Sequence, residues 1–143
     1  MPTWILVADN SRARIFSAEK ATGPITEISS MTFPEGRLHE GDLITDKGGR
    51  SQTPGAGVHG VNGEDAHKQE NADRFASLLC EDLEAARNQG RFRKLYIMAA
   101  PALLGLLRKH QSSSLRQMVA GELDKNLTTQ PPEAIRKHLP DFL

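Results

Sequence analysis

The chain has 143 residues, a length suited to one domain spanning 1–143. Its 18 basic and 18 acidic side chains cancel, which argues against a generic nucleic-acid coat, and a hydrophobic fraction of 38% supplies one core. No apolar run reaches the roughly 20 residues of a membrane helix, no basic-then-apolar secretory pattern opens the sequence, and the lone Cys80 excludes an internal disulfide framework; the expectation is a cytoplasmic protein without membrane insertion.

Thr3 to Ala8 is apolar and partly β-branched, so it reads as a strand. Asp9-Asn10-Ser11 is a turn signal. Arg12 to Ser17 alternates polar and apolar until Phe16, which predicts a second strand paired with the first as a hairpin. After Gly23-Pro24, Ile25 to Phe33 reads as a third, more exposed strand. Composition then shifts: eight of the twelve glycines lie between Gly36 and Gly63, with few large apolar residues. A loop of about residues 34–63 is expected there, too poor in apolar surface to order itself by packing. Loops of that length in compact domains are usually functional or disordered.

Asp65 to Gln89 is the clearest helix. Ala72, Phe75, Ala76, Leu79, Leu83 and Ala86 form one apolar stripe at helical spacing, and Gly90 supplies the stop. Cys80 falls inside this helix and reads as core filler. Lys94 to Ala99 suggests a buried central strand, Pro101 opens a helix to about His110, and Met118 to Asp124 reads as another strand. A last short helix is expected from Pro132 to Leu139, stopped by Pro140. The order β-β-β-α-β-α-β-α predicts an α/β fold with a single mixed sheet, its later strands parallel through right-handed crossovers.

Charge is distributed unevenly. Between Ala85 and Gly121 there is no acid, while Arg87, Arg91, Arg93, Lys94, Arg108, Lys109 and Arg116 all fall there. Such a block presents a local positive field, or simply solvated loop and helix-end cations.

Lys47-Gly48-Gly49-Arg50-Ser51-Gln52 is the most unusual tract. Paired glycines let backbone amides approach a phosphate or an ester closely, and Gln52 offers a donor and an acceptor that could orient a water. A flexible surface loop with polar filler is the plainer reading. The tract lacks the phosphate-loop ending of Lys-Ser/Thr, and Gly55-Ala56-Gly57-Val58-His59-Gly60 lacks the third glycine of a dinucleotide fingerprint. His39, His59 and His67 lie near Asp42, Asp46 and Asp65, yet none of the histidines pairs at one-turn helical spacing, so neither metal nor cofactor is expected. His67 and Lys68 place cations near a helix start, where the dipole disfavours them; they could face an external anion. No nucleophile-elbow pattern occurs. Asp9 ends the first strand, as metal-binding carboxylates of nucleases can, but its Asn-Ser neighbours point to a turn role.

Blocks along nearly the whole chain resemble the bacterial host attachment protein family: Trp4-Ile5-Leu6-Val7-Ala8-Asp9 with Ser11-Arg12-Ala13-Arg14-Ile15-Phe16, His67-Lys68-Gln69-Glu70, Ala72-Asp73-Arg74-Phe75-Ala76, Ala99-Ala100-Pro101, Leu104-Gly105-Leu106-Leu107-Arg108, and Glu122-Leu123-Asp124-Lys125-Asn126-Leu127-Thr128. The family is similar to the central domain of archaeal and eukaryotic class I release factors. That likeness implies a ribonuclease-H-like architecture and a loop, between third strand and long helix, that enters a ribosomal site through Gly-Gly-Gln. Here Arg50-Ser51 separates Gly48-Gly49 from Gln52, a displacement that weakens ester hydrolysis. The resemblance implies a ribosome- or RNA-associated binding factor rather than an enzyme, without DNA specificity. Gly48, Gly49, Arg50, Gln52 and His59 are then its loop residues, and His67, Lys68, Arg91, Arg93, Arg108 and Lys109 its basic contacts, with Gln52 the one catalytic candidate. The alternatives are a protein-interaction module needed for attachment to host cells and, more remotely, a peptidyl-tRNA or other ester hydrolase.

Overall fold

The computed structural model describes the backbone of residues 2–33 and 54–143 and the side chains of residues 2–33 and 70–143. Five described strands, β1 (Thr3–Ala8), β2 (Arg12–Ala18), β3 (Thr26–Thr32), β4 (Lys94–Ala99) and β5 (Val119–Leu123), form one mixed sheet in the order β3-β2-β1-β4-β5. β1 pairs antiparallel with β2 and parallel with β4; β2–β3 is antiparallel and β4–β5 parallel. The helices are α1 (Pro54–Asn88), α2 (Pro101–His110), α3 (Ser113–Met118) and α4 (Pro132–Arg136).

β1 is the centre of the sheet, and all six of its residues are buried. Trp4, Leu6 and Ala8 belong to the core shared with α1, α2 and α3, whereas Ile5 and Val7 belong to a second core with Leu127, Ile135, Leu139 and Leu143. A strand covered on both faces needs apolar side chains at every position. The same geometry explains Phe16, which looks out of phase in the sequence. Ala13 and Ile15 face the helical core, and Phe16 and Ala18 face the second core, so the alternation continues and both sets are buried. β3, at the sheet edge, has no buried residue, in keeping with its polar sequence.

The helix stripe meets the sheet as its spacing predicts: Ala72, Phe75, Ala76, Leu79, Leu83 and Ala86 are all buried. Cys80 joins them; burial pushes its thiol pKa up to about 11, which suits packing and not nucleophilic attack. Gly90 takes a φ of 69°, and Arg91 N–H bonds back to Ala86 O at 3.0 Å, closing the helix end.

Beyond one-residue shifts at β2, β3, β5 and the end of α1, three features depart from the sequence expectation. α1 begins at Pro54, not Asp65, so positions 54–63 of the expected loop, His59 included, are helical backbone. Glycines cost a helix about 1 kcal/mol each, but extending an existing helix is far easier than nucleating one, and proline suits the first turn. The short helix α3 is an added element: Ser112 caps it, its Oγ accepting from Leu115 N at 3.0 Å. α4 stops at Arg136, not Leu139; the backbone continues in tighter turns, His138 N–H bonding to Ile135 O and Leu139 N–H to Arg136 O, while the Arg136 guanidinium reaches the carbonyls of Gly23, Pro140 and Asp141. Residues 34–53, with Gly48, Gly49, Arg50 and Gln52, lie outside the described residues, as do the side chains of His59, His67 and Lys68.

Candidate functional site at the carboxyl rim

The strand directions define two ends of the sheet. β1, β3, β4 and β5 all finish at one end, the carboxyl rim, and Phe33 N–H bonds to Ser11 O at 2.7 Å there. The chain therefore leaves β3 for residue 34 at this rim. In open α/β sheets, ligands bind beyond the carboxyl ends of the strands.

Asp9 organises the rim. Its Oδ1 accepts from Ser11 N at 2.8 Å, Ser11 Oγ at 3.1 Å and Arg12 N at 2.9 Å. Its Oδ2 accepts from Thr128 Oγ1 at 2.8 Å, 119 residues along the chain. The Asp-Asn-Ser turn is thus built on one carboxylate, as its composition predicts. Asn126 Oδ1 accepts from Thr128 N at 3.1 Å and lies 2.7 Å from Thr128 Oγ1. Arg12 and Arg14 complete the clamp: both donate to Thr128 O, at 2.7 and 2.9 Å, and Arg14 also donates to Gln130 O at 2.8 Å. Arg14 pairs with Glu27 of β3 at 3.0 Å and lies over the Phe16 ring. Beside this clamp an open cleft of 610 Å³ is walled by Arg12, Arg14, Glu27, Ser30, Thr128 and Gln130.

The rim is largely self-satisfied. Asp9 spends its lone pairs on the fold, and so do most donors of Arg14. The exception is Asn10 Oδ1, an enclosed oxygen with no hydrogen-bond partner among the described residues. An acceptor buried in that state costs about 1–3 kcal/mol. Among the described residues no group of three histidine, cysteine or acidic side chains could hold a metal ion.

The described basic residues are not gathered at the rim. Arg91 and Arg93 precede β4 at the opposite, amino end, where Arg93 N–H bonds to Pro2 O at 3.0 Å. Arg91 lies over the Trp4 ring, 5.3 Å from its centroid. Arg108 pairs with Glu122 of β5 at 2.6 Å, which raises its pKa, and Lys109 pairs with Asp73 of α1 at 3.1 Å. His110 also reaches Asp73, at 2.9 Å; the hydrogen bonds from His110 and Lys109 hold that carboxyl below the usual aspartate range. The acid-free stretch of sequence is thus partly neutralised in space by acids from α1 and β5.

Sequence reasoning singled out Asp9 but not its partners Thr128, Asn126, Arg12 and Arg14 as a group. The available signal was that all five fall inside the blocks carrying the family resemblance.

Among the described residues, a one-sheet α/β domain with three helices on one face and a C-terminal segment carrying a short helix on the other is the class of protein this geometry defines. A family model described as "Protein required for attachment to host cells" matches residues 4–139, and the chain belongs to that family. No curated protein matches it. No helix among the described residues is long and apolar enough to cross a membrane.

Proposed function

We propose that this chain is a non-enzymatic, ribosome- or RNA-associated member of the host attachment family, working through the segment that its carboxyl rim carries. The observation that supports this most is positional. The tract Gly48-Gly49-Arg50-Ser51-Gln52 lies between the third strand and the long helix, the place the Gly-Gly-Gln loop holds in release-factor central domains of ribonuclease-H-like architecture. β3 delivers the chain to the rim beside the Asp9 turn. The Asp9–Thr128–Arg12–Arg14 clamp gives a fixed platform from which that segment departs, and fixed platforms with long connections are common sites of recognition.

The experiment is co-sedimentation of the purified chain with ribosomes in low salt. Association that weakens steeply as salt rises supports the reading; no association at low salt sinks it. A protein-interaction role in attachment to host cells is the second reading, and one observation favours it: the ion pairing of Arg108 and Lys109, which reduces the charge open to phosphate. Recovery of envelope-biogenesis proteins with no ribosomal component, in affinity capture under native conditions, would select it.

A further inference from the structure

The amino end of the sheet carries a set of cations that the rim does not. Strand register brings together the β2–β3 turn, the segment before β4 and the start of β1, since Thr3 pairs with both Ala18 and Lys94. Lys20, Arg91, Arg93 and Lys94 all lie at this end. Lys20, Arg91 and Arg93 are exposed and Lys94 is half-buried. Glu19 is the acid nearest in sequence, and Ser17 Oγ donates to it at 3.4 Å.

They share with Arg12, Arg116, Lys125, Arg136 and Lys137 the absence of an ion pair among the described residues, and strand register gathers these four at one end. Every described ion pair of the protein uses Arg14, Arg74, Arg87, Arg108, Lys109 or His110. None of the four amino-end cations is in an ion pair among the described residues. Arg91 is held in place by the Trp4 ring and Arg93 by a 3.3 Å bond to Leu143 O. Arg91 is thereby oriented without losing its charge to a carboxylate among the described residues. Orientation matters because an arginine already fixed on an aromatic face gives up less entropy when it meets an anion. β2 and β4 are two strands apart, about 10 Å. A few consecutive phosphates of one nucleic-acid strand cover that span.

We propose that this amino-end face, formed by Lys20, Arg91, Arg93 and Lys94, binds the phosphate backbone of RNA. The inference deepens the ribosome- or RNA-associated reading and rests on it. It separates two tasks that the sequence placed together: the carboxyl rim carries the recognition segment, and phosphate is held at the far end of the sheet. Backbone contacts of this kind position a protein without reading bases, so the face should show little sequence preference.

The test uses the full chain and a fluorescent 20-nucleotide oligo(U), titrated at several salt concentrations. The variant is Lys20→Gln/Arg91→Gln/Lys94→Gln, with Arg93 left intact because it anchors Leu143. Arg91→Lys alone serves as the charge-retaining control. The triple variant should lose about tenfold or more in affinity at low salt, and its log–log salt slope should fall by about 2, at roughly 0.7 per lost contact. The Arg91→Lys control should keep the wild-type slope. Unchanged oligo(U) binding in the triple variant, with its thermal melt intact, overturns the face. Wild-type affinity for phosphatidylserine vesicles well above that for oligo(U) overturns RNA as the occupant. The broader reading fails separately, when wild-type chain binds oligo(U) through this face yet never sediments with ribosomes.

Discussion

The two ends of the sheet use the same residue types for opposite purposes. At the carboxyl rim, Arg12 and Arg14 give their donors to the Thr128 and Gln130 carbonyls and to Glu27. At the amino end, Arg91 rests on Trp4 and keeps its charge facing solvent. The difference lies in what surrounds each arginine. The rim must tie a segment 116 residues distant in sequence onto the β1–β2 turn, so its guanidiniums act as multidentate cross-links. The amino end is already tied by strand register and by Arg136, whose bonds to Gly23 and Ala21 anchor the C-terminal segment. A charge there is free for something else.

The contrast can be broken most directly at Asp9. Asp9→Ala removes the acceptor of three turn donors and of Thr128, and should cost about 3 kcal/mol in urea unfolding, since bonds to a charged acceptor contribute about 1.5–3 kcal/mol each and do not add fully. A loss below about 1 kcal/mol would mean that the rim is not clamped as described. Arg14→Ala should come next, at about 1–2 kcal/mol, mostly by freeing the 128–130 segment; hydrogen exchange should speed up there and not in β4. At the amino end, Gly90→Ala should cost about 1 kcal/mol, because a side chain is strained at φ 69°. Lys94→Gln should change stability by less than about 0.5 kcal/mol while weakening oligo(U) binding. If its stability effect exceeds that of Arg14→Ala, the division between a structural rim and a free amino end collapses. The smallest effect concerns pH. Asp73 has a lowered folded-state pKa, so its contribution is fully present at neutral pH and disappears as pH falls through and below the ordinary aspartate range. Asp73→Asn should therefore make the acid limb of the stability profile slightly shallower and leave stability nearly unchanged in slope above pH 6.

Much of the scaffold was legible in the residues. Strands β1 and β4 and helix α2 were read with their observed bounds, and the stripe from Ala72 to Ala86 was identified residue by residue. Periodicity worked there because burial on one face dictates residue type. It failed at the start of α1, where four glycines look like loop but the backbone is helical from Pro54. Local propensity was outweighed by growth from a packed nucleus. It also missed α3, although Ser112 at the cap was a usable signal. The candidate site was read in part: Asp9 as a turn residue was plain from Asp-Asn-Ser, but no local pattern can announce that Thr128 will accept two arginines and donate to Asp9.

By itself the sequence determined the α/β class, the apolar faces and family membership, because each rests on local spacing or ordered blocks. Only the tertiary structure decided which charges meet. The stretch from Ala85 to Gly121 is uniformly basic along the chain, yet Arg108 and Lys109 find acids on β5 and α1, while Arg91 finds an aromatic ring. Charge pairing is a property of distance in space, over which the linear order of residues has no control.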